Sequence, residues 1–272
     1  MEAKQVQYPP RPLRVKVPVL VSFRSQAFAV KQFTLNLSEG GIFLPTDRSC
    51  PVGTCGTLKF RESHFSDPVT LEAEVVRTVL PEQESEGQNR RAGMGMRFLN
   101  LDEGKQRFLR RLVEGVSSGS IVQTIRRSIA ESGRSLALEL RHRPTDQKMM
   151  LALQAHGEEI HALIRDGNPS VLTRLLECPR LGPADLIMML KNPNLATRVL
   201  SAIKRDRKWI SNGEVRWLLC THPNTVLSEA MDALRMLPQD RLKRLARDMR
   251  ARPQIRSKAQ ELTSRRRRPG FR

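Results

Sequence analysis

Apolar and polar residues alternate along the first hundred positions of the chain. Over 13–23, Leu13, Val15, Val17, Val19, Val21 and Phe23 occupy every second place. Side chains of an extended chain point alternately to its two faces, so this stretch reads as a strand with one apolar side. Further extended runs follow at 28–35, 42–44, 55–60, 69–79 and 91–98, separated by Gly, Pro, Asn and Ser. Short strands joined by such turns predict a small antiparallel β-barrel. The stretch 81–90, with Glu82, Glu84 and Glu86 and no apolar period, reads as a hairpin loop. The period then changes. Phe108, Leu109, Leu112 and Val113 recur at helical spacing, with Asp102 or Asn100 placed to cap the start and Gly115 to end the helix.

Val116-Ser117-Ser118-Gly119-Ser120 reads as a linker, and 121–143 as a connecting helix broken near Ser132 and Gly133. From Thr145 strands vanish and short amphipathic helices succeed one another. Asn168-Pro169, Asn192-Pro193, His222-Pro223 and Arg252-Pro253 look like one phrase repeated, the prolines standing 24, 30 and 30 residues apart. Proline suits the first turn of a helix, where its missing amide hydrogen would have gone unpaired. Two-helix units of this length cannot bury their own apolar faces and must stack. This half resembles HEAT-like helical repeat arrays. The expected fold is therefore multidomain, α and β: a small antiparallel β-barrel with a closing helix over 8–115, a linker with a connecting helix over 116–144, all-α helical repeats over 145–263 and a basic tail over 264–272.

Charge sharpens this division. The net charge of +19 is unevenly spread: residues 1–115 hold 17 Lys and Arg against 13 Asp and Glu, whereas 116–272 hold 30 against 15. An excess of +15 in the second half attracts polyanions, acidic partner surfaces or anionic lipid heads, and by itself does not choose among them. Nucleic acid is possible but not favoured. A candidate helix-turn-helix near 214–234 has a second helix with two acids and no arginine at its start, and reads better as one more repeat burying Val226, Ala230 and Leu234 with Trp217. Arg265 to Arg268 make a basic tail, but aromatic residues for stacking on bases are few.

Chemistry for catalysis is missing. Cys50, Cys55, Cys178 and Cys220 have no Cys-x-x-Cys spacing, and His156 and His161, five apart, fall on different faces of any helix through both. No Ser-His-Asp set, carboxylate pair or phosphate loop occurs, so no enzyme is expected. No run of eighteen apolar residues and no apolar leader is present, which points to the cytoplasm without a membrane span.

The organising stretch is Asn36-Leu37-Ser38-Glu39-Gly40-Gly41-Ile42-Phe43, read as a polar turn between two apolar runs. Its Asn36, Ser38 and Gly41 resemble the [Asp/Asn]-x-Ser-x-x-Gly motif of the PilZ family of cyclic di-GMP receptor domains. Gly93-Met94-Gly95-Met96-Arg97-Phe98 is similar to that family's Gly-x-Gly-apolar-x-Phe strand. The family also has two arginines four apart before the first strand. Here Arg14 stands where the second is expected, the place of the first is Pro10, and Arg11 is the nearest arginine. The resemblance implies a cyclic di-GMP site of Arg14, Arg11, Asn36, Ser38 and Gly41: guanidinium forks for guanine or phosphate, small polar groups for hydrogen bonds, and a glycine that keeps the surface open. It implies a signalling adaptor whose basic helical half presents a concave surface to a protein partner. The alternative is a PilZ-like scaffold that acts without ligand.

Overall fold

Of the alternating residues over 13–23, Val15, Val17, Val19, Val21 and Phe23 are buried, whereas Leu13 is 63% exposed. The computed structural model of the protein describes residues 13–61, 69–80 and 91–265. The expected 81–90 loop and the tail from 266 onward lie outside the described residues.

Seven strands are described: β1 (Leu20–Arg24), β2 (Ala29–Phe33), β3 (Asn36–Ser38), β4 (Gly41–Pro45), β5 (Cys55–Arg61), β6 (Val69–Val79) and β7 (Gly93–Leu99). They form one antiparallel sheet in the order β2-β1-β5-β6-β7-β4-β3. The closed barrel expected from the pattern is instead a curled sheet, a half-barrel with β2 and β3 at its edges. The two edge strands follow one another in the chain, and no ladder joins them. Thr34, fully buried between them, spans the seam: its amide donates to the Val19 carbonyl at 2.9 Å, its hydroxyl accepts from the Val19 amide at 3.0 Å and donates to the Val17 carbonyl. A single rung, Val15 opposite Leu37, ties the chain before β1 to β3.

The inner face of the sheet carries Val21, Phe23, Leu44, Leu58, Leu71, Val75 and Met94, all buried. Helix α1 (Glu103–Ser117) packs Phe108, Leu109, Leu112 and Val113 inward, and the Phe108 ring meets Phe60 edge-on at 5.6 Å. Asp102 is its cap, accepting from the Lys105 amide at 2.8 Å, and that bond holds the Asp102 carboxyl below its usual range. Asn100, the other expected cap, takes a left-handed backbone with φ 50° and donates to Glu72. Gly115 does not end α1. A Cβ there would meet Ile121 at 2.9 Å, so the glycine lets the next helix come close. The expected linker is the last turn of α1 and the Ser118-Gly119 turn, followed by α2 (Ser120–Glu131), which buries Val122 and Ile125. The chain divides into two compact units between Gly133 and Arg134.

The second unit is helical among its described residues: α3 (Leu136–His142), α4 (Thr145–Leu153), α5 (Glu158–Asp166), α6 (Pro169–Leu175), α7 (Pro183–Leu190), α8 (Thr197–Arg205), α9 (Arg207–Ile210), α10 (Gly213–Thr221), α11 (Leu227–Arg235), α12 (Gln239–Arg247) and α13 (Pro253–Arg265). They lie in two layers. One runs α4, α6, α8, α11, α13, and the other α3, α5, α7, α10, each helix packed on the next. Hydrogen bonds between neighbours recur at near-constant separation. Arg198 reaches Ser170 and Ser201 reaches Glu229 across 28 residues, the Thr197 hydroxyl reaches the Asn224 carbonyl across 27, and Arg252 reaches the Thr225 carbonyl across 27.

Pro169 and Pro253 open helices as expected, with the Asn168 side chain capping the amides of Ser170 and Val171. Pro193 and Pro223 do not. Each lies in a turn ahead of α8 or α11, and these two turns are stacked. His222 Nε2 lies 2.9 Å from the Asn192 carbonyl while Nδ1 accepts from the Asn224 amide, which places the ring proton on Nε2. Asn224 in turn donates to the Pro193 and Leu195 carbonyls. Val226, expected in the core, is exposed; Ala230 and Leu234 are buried and Trp217 half-buried.

The cysteines are free thiols, with Cys50, Cys178 and Cys220 buried and Cys55 exposed. Burial pushes the Cys50 thiol up and the Cys220 thiol up to about 12. Under native conditions near pH 8 a maleimide should therefore label Cys55 and leave the other three until the chain is unfolded; native labelling of Cys220 read by mass spectrometry would contradict this placement.

Candidate functional site

The Val15 and Leu37 rung fixes the site. The Val15 amide donates to the Leu37 carbonyl at 2.8 Å and the Leu37 amide to the Val15 carbonyl at 2.9 Å. In an antiparallel pair, residues directly opposite share a face and neighbours alternate. Val15 and Leu37 point into the core, so Arg14 stands opposite Ser38 and Lys16 opposite Asn36 on the outer face.

The ladder carries these positions across the sheet in two rows. Ser38 pairs with Gly41, Gly41 with Arg97 and Arg97 with Glu74; Asn36 pairs with Phe43, Phe43 with Gly95 and Gly95 with Arg77. One row reads Arg14, Ser38, Gly41, Arg97 and the other Lys16, Asn36, Phe43, Gly95, Arg77. Each row has cationic side chains at its ends and a glycine, without a side chain, in between. With strands about 4.8 Å apart, Arg14 and Arg97 are about 14 Å apart at the backbone.

Four of the residues expected at the site thus come together: Arg14, Asn36, Ser38 and Gly41. Arg11 lies outside the described residues. Asn36-to-Phe43, expected as a turn, is a hairpin of β3 and β4 with only Glu39 and Gly40 at its tip. Ser38 does not present its oxygen freely to solvent. It is 3% exposed and its hydroxyl donates to the Gly41 carbonyl at 3.2 Å, bracing the hairpin.

Gly41 is required for a reason other than a turn. Neither Gly40 nor Gly41 has a positive φ. A Cβ at Gly41 would lie 2.4 Å from the Met96 carbonyl oxygen, and one at Gly93 would lie 2.2 Å from that of Leu44. Strands β4 and β7 are pressed together at both ends by glycines facing backbone. Gly41→Ala should therefore cost about 1–3 kcal/mol of stability through overpacking, read by urea unfolding; an unchanged midpoint would contradict the contact.

Arg97 and Arg77 were not singled out by motif. Their signal lies in register, since Arg97 follows Gly95 by two and so shares its face. The Arg97 guanidinium already holds Glu74 at 2.7 Å on an exposed surface, a pairing that is weak in water and open to exchange for a stronger anion. Near the hairpin tip, Arg110 of α1 approaches Glu39 at 3.8 Å. Among the described residues no group of His, Cys, Asp and Glu is placed to hold a metal, and no helix is long and apolar enough to cross a membrane.

The family model described as "PilZ domain" matches residues 7–115. That segment is a PilZ domain. Solved structures similar to the chain include the Bacillus subtilis inhibitor of motility, MotI/DgrA, at 17% identity over 40% of this chain and 51% of that one, with a TM-score of 0.33. The PilZ domain of Escherichia coli YcgR, solved with c-di-GMP, is similar at 18% identity over 42% of this chain and 95% of that one, TM-score 0.31. Escherichia coli YcgR in complex with c-di-GMP aligns at 16% identity over 46% and 50%, TM-score 0.33. The chain spans about half the length of MotI/DgrA and of YcgR. No curated protein matches it. Within the PilZ segment, the sheet and α1 hold the glycine-floored rows described above.

Proposed function

We propose that the protein is a non-catalytic cytoplasmic receptor for cyclic di-GMP, bound on the outer face of the PilZ sheet. The observation that carries this reading is the register that sets Arg14 across from Ser38, beside Asn36, at one end of a floor made by Gly41 and Gly95. A cyclic dinucleotide has two flat purines and two phosphates. Glycine positions let a purine lie against the backbone, guanidinium forks match the acceptor edge of guanine and the phosphate oxygens, and the Asn36 amide adds hydrogen bonds. Arg11, three residues before Arg14 in the sequence, is the proposed second fork. Membership of 7–115 in the PilZ family, whose members are cyclic di-GMP receptors, supports the same reading.

The helical unit is, on this proposal, a HEAT-like repeat array that binds a protein partner. The two helix layers and the hydrogen bonds recurring every 27 or 28 residues support a stacked repeat, since such units bury their apolar faces only against their neighbours. Calorimetric titration of the full chain with cyclic di-GMP tests the receptor: a saturable heat at micromolar ligand is expected, and none would leave the ligand-independent scaffold as the reading.

A further inference from the structure

In the second unit Arg252 and Arg216 each have buried guanidinium donors without an acceptor among the described residues. Arg252, just before α13, gives Nη1 to the Thr225 carbonyl at 2.7 Å. Its Nε and Nη2, which together form the side-on fork of the guanidinium, are buried and unpartnered. Arg216 on α10 has its Nε buried and unpartnered, and the Thr225 hydroxyl is in the same condition on a residue only 3% exposed. Of the carboxylates nearest in sequence, Glu214 pairs with Arg241, Asp232 with Lys204 and Arg235, and Glu229 with Ser201, while Asp248, four residues before Arg252, accepts from the Arg250 amide. Cys220, one turn after Arg216 on α10 and buried beneath α11, senses both guanidinium charges, which pull its thiol down against the larger upward push of burial.

A buried N–H donor without an acceptor is costly, and a fork with two parallel N–H groups matches an oxyanion. We infer that Arg252, Arg216 and Thr225 form a binding site for a tetrahedral oxyanion of the phosphate class, at the junction of α10, the 222–225 turn and the start of α13. Four donors favour a tetrahedral anion over a carboxylate. A carboxylate's lone pairs all lie in one plane, which the Arg252 fork would fix, whereas a tetrahedral anion also has oxygens out of that plane for the Arg216 Nε and the Thr225 hydroxyl. The site is separate from the PilZ face and stands whether or not that face takes cyclic di-GMP.

The test is calorimetric titration of the full chain with inorganic phosphate against chloride at matched ionic strength. One saturable site per chain is expected, displaced by sulfate and not by acetate. Arg252→Lys keeps the charge but loses the fork and should weaken phosphate by about tenfold or more; Arg216→Lys should weaken it too, and serves as the comparison if Arg252→Lys fails to fold by circular dichroism. No saturable heat in the unaltered protein, equal affinity in the folded lysine variant, or equal displacement by acetate would each overturn the assignment.

Discussion

Arg14→Ala should raise the dissociation constant for cyclic di-GMP by about two orders of magnitude, because charged hydrogen bonds contribute about 1.5–3 kcal/mol each and the fork makes two at most. The protein should otherwise be unharmed. Arg14 is exposed, and its neighbour Val15 makes the rung with backbone atoms that the substitution leaves in place. Arg14→Lys should fall between, since an ammonium keeps the charge without the planar fork. Calorimetry with melting curves alongside separates loss of affinity from loss of fold. Unaltered affinity in a folded Arg14→Ala protein would remove the arginine from the site, and with it the reading that the 14–38 pairing creates.

The second large effect lies in the helical unit. Lys148 Nζ lies 2.8 and 2.9 Å from the two carboxylate oxygens of Asp166, and the two side chains are 7% and 8% exposed. Lys148→Met should destabilise this unit by about 3–5 kcal/mol, mostly because a carboxylate is left buried without its counter-charge. Adding Asp166→Leu should restore much of the loss, as an apolar pair costs no desolvation of ions. Both tryptophans, Trp209 and Trp217, belong to this unit, so urea unfolding followed by tryptophan fluorescence reports on it specifically. A loss below about 1 kcal/mol in the single variant would class the pair with solvated surface bridges.

Much of the sheet was legible because period two is a strong signal. The run 69–79 appears with those bounds as β6, and 55–60 lengthens by one residue into β5. β3 was not legible. Its Asn36, Leu37 and Ser38 are too few to show alternation, and polar ends beside two glycines read as a turn; only pairing with β4 makes them a strand. The site followed the same division. Motif spacing pointed to Arg14, Asn36, Ser38 and Gly41, whereas Arg97 and Arg77 join the proposed face only through cross-strand register, which local sequence does not state. Sequence reading also gave Gly41 an incomplete role, because the Met96 carbonyl that excludes a side chain is 55 residues away along the chain. In the helical half, prolines marked the repeat while hiding that two of the four precede their helices by a turn.

Arg14 is held opposite Ser38 by one pair of amide-to-carbonyl bonds outside the continuous ladder. When that pair opens the arginine leaves its post, so the fraction of time it stays shut scales the observed affinity directly. On the proposed receptor reading, deuterium uptake at the Val15 and Leu37 amides is expected to slow when cyclic di-GMP is added. Val15→Pro would remove the amide that donates to Leu37 while changing the chemistry of none of the side chains proposed to face the ligand.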